Sequence, residues 1–284
     1  MLSLEETVEV HAHAAEHKSE LAKTPTRLLV SGMLAGMWIG VGDVLMWSAA
    51  GPFIVADAPA GKLVAGIVFA AALTIVVFAG SELATSAMMI LPLGAIRKAI
   101  TWVRAGVLLL SVFFSNMVGA FAFAWVIMQT GILNSGPAGD FYASYLEGKI
   151  EHSSAELFFR GVMCNVLVCM AIWAAGRLKS EAGKAIIIFW GVLAFITSGF
   201  EHVVANMTTF ALGLMGQGDV AVTFGDFVNN MIFVGLGNLV GGGIVVGVAY
   251  AYVAGKVGRG KAPIVVAEDG KDWRTDAQEV GVEE

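Results

Sequence analysis

Charge is scarce in this chain of 284 residues: 14% are Asp, Glu, Lys or Arg, against roughly 25% in an ordinary soluble domain. With 57% hydrophobic residues and a mean hydropathy of +0.77, that scarcity excludes a water-soluble protein. Basic clusters are missing as well. The net charge is −6, which leaves no exposed Lys and Arg face for nucleic acid. Cysteine is nearly absent: Cys164 and Cys169 lie five apart in one apolar run, a spacing that brings together neither a disulfide nor paired metal ligands on a helix. Both read as packing residues. Residues 1–27 carry Glu5, Glu6, Glu9, Glu16 and Glu20 and lack the basic start and short apolar core of a secretory signal, so the first apolar span is expected to stay as a membrane anchor.

What is present is apolar length. Runs long enough for a bilayer core of roughly 30 Å occupy about 28–50, 63–92, 105–130, 157–176, 185–214 and 228–254. These predict an all-α polytopic membrane protein with six transmembrane helices. Lys18, Lys23 and Arg27 precede span 1, Arg97, Lys98 and Arg104 join spans 2 and 3, Arg177, Lys179 and Lys184 join spans 4 and 5, and Lys256, Arg259 and Lys261 follow span 6. The excess of Lys and Arg marks those segments as cytoplasmic, so both termini are expected inside. Residues 1–27 then form a cytoplasmic N-terminal segment, 28–255 the six-span domain, and 256–284 a cytoplasmic acidic tail without apolar periodicity, expected to be disordered.

Spans 2 and 5 run to about 30 residues and are interrupted, at Gly80-Ser-Glu82-Leu-Ala-Thr-Ser86 and at Ser198-Gly-Phe-Glu201-His202. Both read as broken helices. Gly80-x-Glu82 with Met88 repeats as Gly199-x-Glu201 with Met207, and Asn116-Met-Val-Gly119 repeats as Asn238-Leu-Val-Gly241, at offsets of 119 and 122 residues. A duplicated unit of three spans is odd in number, so the second copy must enter the membrane from the opposite side. Inverted repeats with a broken helix in each copy place a solute path near the midplane, because irregular backbone at that depth lines a cavity or is buried in protein. The expected function is transport.

His202 is the only histidine inside a span, and an ionisable group in hydrocarbon is costly unless it faces a pore or a partner. Glu82 and Glu201 beside the breaks, with Gly80 and Gly199, are assigned structural roles, the carboxylates accepting backbone N–H groups at the new helix N-termini. Adjacent helical residues point about 100° apart, which argues against a catalytic Glu201–His202 pair. Asp43, among Gly40, Gly42 and Trp47, is either a pore group or an interfacial hydrogen-bonding group. Glycines spaced by four at 32, 36 and 40, at 237 and 241, and at 243 and 247 predict close helix seams within or between subunits. Trp38, Trp47, Trp102, Trp125 and Trp190 are expected to be belt or packing aromatics, and His11, His13 and His17 solvated groups on an exposed helix.

The stretch Ser198-Gly-Phe-Glu-His-Val-Val-Ala-Asn-Met207 resembles the signature of the formate/nitrite transporter family. Gly80-Ser-Glu-Leu-Ala-Thr85, Cys164-Asn-Val-Leu-Val-Cys169 and Gly237-Asn-Leu-Val-Gly241 carry the likeness further, over about 28–255. The resemblance implies an aquaporin-like helical fold, a homopentamer in a prokaryotic inner membrane, and one pore per protomer for small monovalent anions or their conjugate acids, without a cofactor. It places the family's central histidine on His202, its lysine on Lys149 and its threonine on Thr85. The apolar constriction falls on Phe69, Leu73, Leu83, Val168 and Phe195, with Asn165 and Asn238 as polar neighbours. Ala84 departs from the phenylalanine common beside the threonine. Phe158-Phe-Arg-Gly161 and Ala205-Asn-Met-Thr-x-Phe-Ala-Leu212 are more similar to the nitrite branch than to the formate branch, and hydrosulfide channels share the same His, Lys and Thr.

No catalytic or metal-binding residues are expected. A pore of the aquaporin type would carry Asn-Pro-Ala, yet no proline follows an asparagine here. An enzyme would need a second reactive group near His202, and only Glu82, Glu201 and the cysteines lie at that depth. A proton-coupled transporter and an electrogenic anion channel both remain open on this scaffold.

Overall fold

The computed structural model describes residues 1–255, and the expected acidic tail at 256–284 lies outside the described residues. Helix α1 spans Leu4–Leu21 and is opened by a capping box: Glu6 N–H donates to Ser3 Oγ and Ser3 N–H donates to the Glu6 carboxylate. Then come α2 (Pro25–Val55), α3 (Gly61–Phe78), α4 (Ala84–Ile96), α5 (Trp102–Thr130), α6 (Gly136–Glu151), α7 (Ser154–Arg177), α8 (Glu181–Thr197), α9 (Val203–Leu214) and α10 (Phe224–Leu239). The last continues through a π-helical stretch, Val240–Val248, into α11 (Ala249–Val253).

Among the described residues, five helices are long and apolar enough to cross a membrane: α2, α3, α5, α7 and the continuous run Phe224–Val253. The expected span 5 is divided between α8, of 17 residues, and α9, because Gly199 sits at φ +72°, left-handed geometry that ends a helix and suits only glycine well. Gly80, at φ +70°, divides α3 from α4 in the same way. Two helices fall where no span was expected. α1 forms within residues 1–27 because Val8, Ala12 and Ala15 give it a buried face, with Ala15 seated against Gly94 of α4. α6 forms between spans 3 and 4 and buries Phe141, Tyr142 and Leu146.

The glycine seams lie within the chain. Gly36 abuts the Asn116 carbonyl and Gly119 the Met33 carbonyl, which locks α2 to α5. Gly237 and Gly241 abut the Phe158 and Val162 carbonyls, which locks α7 to α10 and the π-helical stretch. Trp102, Trp125 and Trp190 are exposed on the outside, whereas Trp47 and Trp173 are fully buried. Cys164 and Cys169 are both free and buried.

Candidate functional site

Each helix break leaves backbone groups that need partners. At the first, Ala84 N–H donates to Asn116 Oδ1 (2.8 Å), while Asn116 Nδ2 donates to the carbonyls of Gly32 (2.9 Å) and Glu82 (2.8 Å). At the second, Val203 N–H donates to Asn238 Oδ1 (2.9 Å), and Asn238 Nδ2 donates to the carbonyls of Gly161 (2.7 Å) and Glu201 (2.9 Å). These two asparagines do the capping that the sequence reading gave to the glutamates, and that reading is corrected. The Glu82 carboxylate is instead bonded to Lys18 of α1, and the Glu201 carboxylate to Lys149 of α6 at 2.7 Å, with Asn206 Nδ2 also donating to Glu201 at 2.7 Å. A lysine wins the carboxylate because a buried charge without a counter-charge is far costlier than an amide hydrogen bond exchanged for another.

Lys18 marks only orientation in the sequence, although a signal of its place beside the break is there: it follows His11 by seven residues as Lys149 follows Tyr142. The two spacings mark corresponding helices. His11 stacks on Trp173 (5.3 Å between ring centres), and Tyr142 meets Trp47 edge-on (4.9 Å). His11 is therefore buried rather than solvated, which corrects the expectation for it, while His13 and His17 are exposed as expected of solvated groups. Burial pushes the His11 imidazole down to about 4, partly offset by the backbone of Trp173.

His202 caps α9, and its Nδ1 accepts the Ala205 N–H at 3.2 Å. An accepting Nδ1 carries no proton, so in the neutral ring Nε2–H is the donor, and it faces Thr85 Oγ1 at 2.9 Å. Phe195 stacks on the imidazole (5.9 Å between centres, 19° between planes) and meets Phe69 edge-on at 6.1 Å. Leu73, Leu83 and Val168 are buried like Phe69 and Phe195. Asn165 Nδ2 donates to the carbonyls of Asn238 (2.7 Å) and Thr85 (3.2 Å), which holds the start of α4 against α7. Both amides expected beside the path, Asn165 and Asn238, thus spend their N–H groups on backbone.

On the Lys149 side, a cavity of about 280 Å³ is lined by Lys62, Lys149, His152, Arg160 and Glu201 together with Ser144, Tyr145 and apolar residues. Lys149 Nζ lies 4.3 Å from the centre of the Tyr145 ring on the same wall. Arg160 escaped the sequence reading as a site residue, and its Nη1 donates to the Gly199 carbonyl at 2.9 Å, tying the α8–α9 break to α7. Phe69, Thr85 and His202 are not among the residues that line this cavity.

The family model for the formate/nitrite transporter matches residues 5–252. The chain belongs to the formate/nitrite transporter family. It is 35% identical over 248 residues to the nitrite transporter NirC of Escherichia coli, covering 87% of this chain and 91% of that protein. A probable formate transporter of Methanothermobacter thermautotrophicus is 38% identical over 250 residues, covering 80% and 88%. Among solved structures, an FNT family ion channel superposes with a TM-score of 0.82 at 35% identity, covering 87% of this chain and 98% of that one. A pentameric formate channel with formate bound superposes at 0.70 with 28% identity, covering 82% and 99%. As a member of this family the chain is an integral membrane transport protein, and the relatives named are transporters and channels rather than enzymes.

Proposed function

We propose that the chain forms a pore for a small monovalent anion, nitrite or formate, which crosses together with a proton. In this reading six spans form two inverted three-helix repeats in an aquaporin-like arrangement, five copies assemble with one pore each in a prokaryotic inner membrane, and both termini face the cytoplasm. One observation carries the proposal: the buried His202–Thr85 hydrogen bond joins the two broken helices, and the Phe195 ring stacks on the same imidazole.

A bare anion passing Phe69, Leu73, Leu83, Val168 and Phe195 would lose its hydration with no compensating charge, at a cost of many kcal/mol; the neutral acid avoids most of it. Lys149, at the wall of the cavity, draws the anion in. Because Nε2–H of His202 donates to Thr85 Oγ1, the threonine keeps its own O–H free to donate to an oxygen of the anion. The imidazole orients that hydroxyl and, when the Ala205 bond opens, accepts or releases a proton at Nδ1. The proton accompanies the anion across the apolar rings as nitrous or formic acid.

Competition of nitrite, formate and hydrosulfide for flux into proteoliposomes, measured against pH, tests the substrate. Nitrite or formate is expected to win, and hydrosulfide winning would reassign it. His202→Phe is expected to abolish or reshape the pH dependence of flux; an unchanged profile removes His202 from the proton step.

A further inference from the structure

All but three of the 17 Lys and Arg residues lie in the N-terminal segment, in the two basic connections or after span 6. The three exceptions are Lys62, Lys149 and Arg160, which belong to α3, α6 and α7. The fold brings all of them to the wall of the one cavity of about 280 Å³ described above.

Their charges are not equivalent there. Lys149 is held 2.7 Å from the Glu201 carboxylate and both side chains are buried, so that pair is electrically balanced. Among the described residues neither Lys62 nor Arg160 makes an ion pair. Glu156, one turn before Arg160, spends its carboxylate on the N–H and hydroxyl of Ser153. Arg160 is fixed by both its side chain and its backbone. Its Nη1 donates to the Gly199 carbonyl (2.9 Å), and its own carbonyl accepts the Glu201 N–H (3.3 Å), which leaves Nε and Nη2 free at the edge of the α8–α9 break. Across the cavity, Lys62 is exposed in the first turn of α3, and its carbonyl accepts from Thr197 Oγ1 at the end of α8 (3.4 Å).

We propose that Lys62 and Arg160 form an anion-collecting site in this cavity, which holds the permeating anion before Lys149 and the apolar rings receive it. The inference rests on the anion-pore reading above and names the residues that gather the substrate. Two unmatched positive charges between low-dielectric walls raise the local anion concentration, and Lys149 then acts on an anion already gathered. The cavity is several times the roughly 30 Å³ that one water occupies in the liquid, so the anion sits there with part of its hydration shell. Sulfate, with two charges, is attracted about twice as strongly as nitrite at the same distance, yet cannot pass the apolar rings. It therefore occupies the site without crossing.

The test is nitrite flux into proteoliposomes at low ionic strength, with sulfate added on both faces of the vesicle and chloride as the control at matched ionic strength. The nitrite concentration for half-maximal flux is expected to rise about tenfold in the Lys62→Gln, Arg160→Gln double variant. That gap should close when added salt shortens the screening length to about 3 Å. Sulfate is expected to inhibit wild type and to spare the double variant. Arg160→Lys keeps the charge and is expected to stay near wild type on both measures; a guanidinium that serves only to brace Gly199 would give it the same defect as Arg160→Gln. Unchanged half-saturation in the double variant, or equal sulfate inhibition with and without the two charges, overturns the assignment. If the Arg160 variants fail to assemble, Lys62→Gln decides, and wild-type half-saturation together with wild-type sulfate inhibition overturns it. A wild type that carries neither nitrite nor formate sinks the pore reading instead.

Discussion

Lys18–Glu82 and Lys149–Glu201 occupy corresponding places beside the two helix breaks, and Asn116 and Asn238 each make the same three backbone hydrogen bonds there. Around this shared frame the side chains diverge. The residue after the glutamate is Leu83 at one break and His202 at the other. The helix that brings the lysine stacks His11 on Trp173 in the first half and sets Tyr142 against Trp47 in the second. The frame is what a broken helix requires wherever it occurs, since its free N–H and C=O groups must be satisfied out of reach of water. The divergent positions are free to carry chemistry, and they put His202 at the second break and His11 on the helix that brings the lysine to the first.

The largest break in this correspondence is expected from the lysines. Lys149→Met leaves the Glu201 carboxylate buried without its counter-charge and should lower stability by about 3–5 kcal/mol. Lys18→Met should cost less, because the Lys18–Glu82 side chains are 11% and 8% exposed against 3% and 6% for Lys149–Glu201. Thermal melting of the purified proteins in detergent measures both; equal losses would mean that burial does not set the difference.

Asn116→Leu and Asn238→Leu should each cost about 3 kcal/mol, since each strands one buried N–H and two carbonyls. Equal midpoint shifts would sharpen the correspondence, and a gap above about 1 kcal/mol between them would break it.

His11 offers a pH-dependent comparison. Its value in the docked helix, about 4, lies below the ordinary 6.5, so the undocked state takes up the proton first. Docking of α1 is fully supported above pH 6.5 and weakens as pH falls toward 4, by about 2 kcal/mol at pH 5. His11→Tyr, which copies Tyr142, should make amide-exchange protection in α1 the same at pH 5 and pH 7. A variant that still loosens on acidification would place the sensitivity elsewhere.

The smallest effect belongs to Tyr142→Phe, which deletes one hydrogen bond from the hydroxyl to the Thr209 carbonyl (3.2 Å) and should cost about 1 kcal/mol in the same melting assay.

Much of the frame was legible in the chain itself. Gly80 and Gly199 mark the breaks, and the spacing of Asn116 from Gly119 and of Asn238 from Gly241 marks the close helix seams beside them, because a left-handed backbone and a close helix approach admit few residue types. His202 could be singled out by its polarity within an apolar run and Thr85 by the family resemblance; their 2.9 Å contact could not, since 117 residues separate them. Lys18 reads in the sequence only as one of the basic residues that set orientation, where an exposed and a buried lysine look alike. The glutamates were misassigned for a related reason: a carboxylate next to a helix start is a plausible cap until the partner lysine, 64 residues away in one half and 52 in the other, is seen beside it.

The membrane class, the breaks and the matching Asn–Gly pairs beside them follow from the sequence, because each depends on local composition and backbone geometry that hold whatever the neighbours are. Which donor meets which acceptor was decided only by the tertiary structure. Asn116 rather than Glu82 caps α4, Lys18 rather than solvent meets Glu82, and Asp43 is enclosed with no partner at all. In a low-dielectric interior the strength of a polar contact depends on separations of a few ångströms between residues far apart in the chain, and the linear order of residues does not specify those separations.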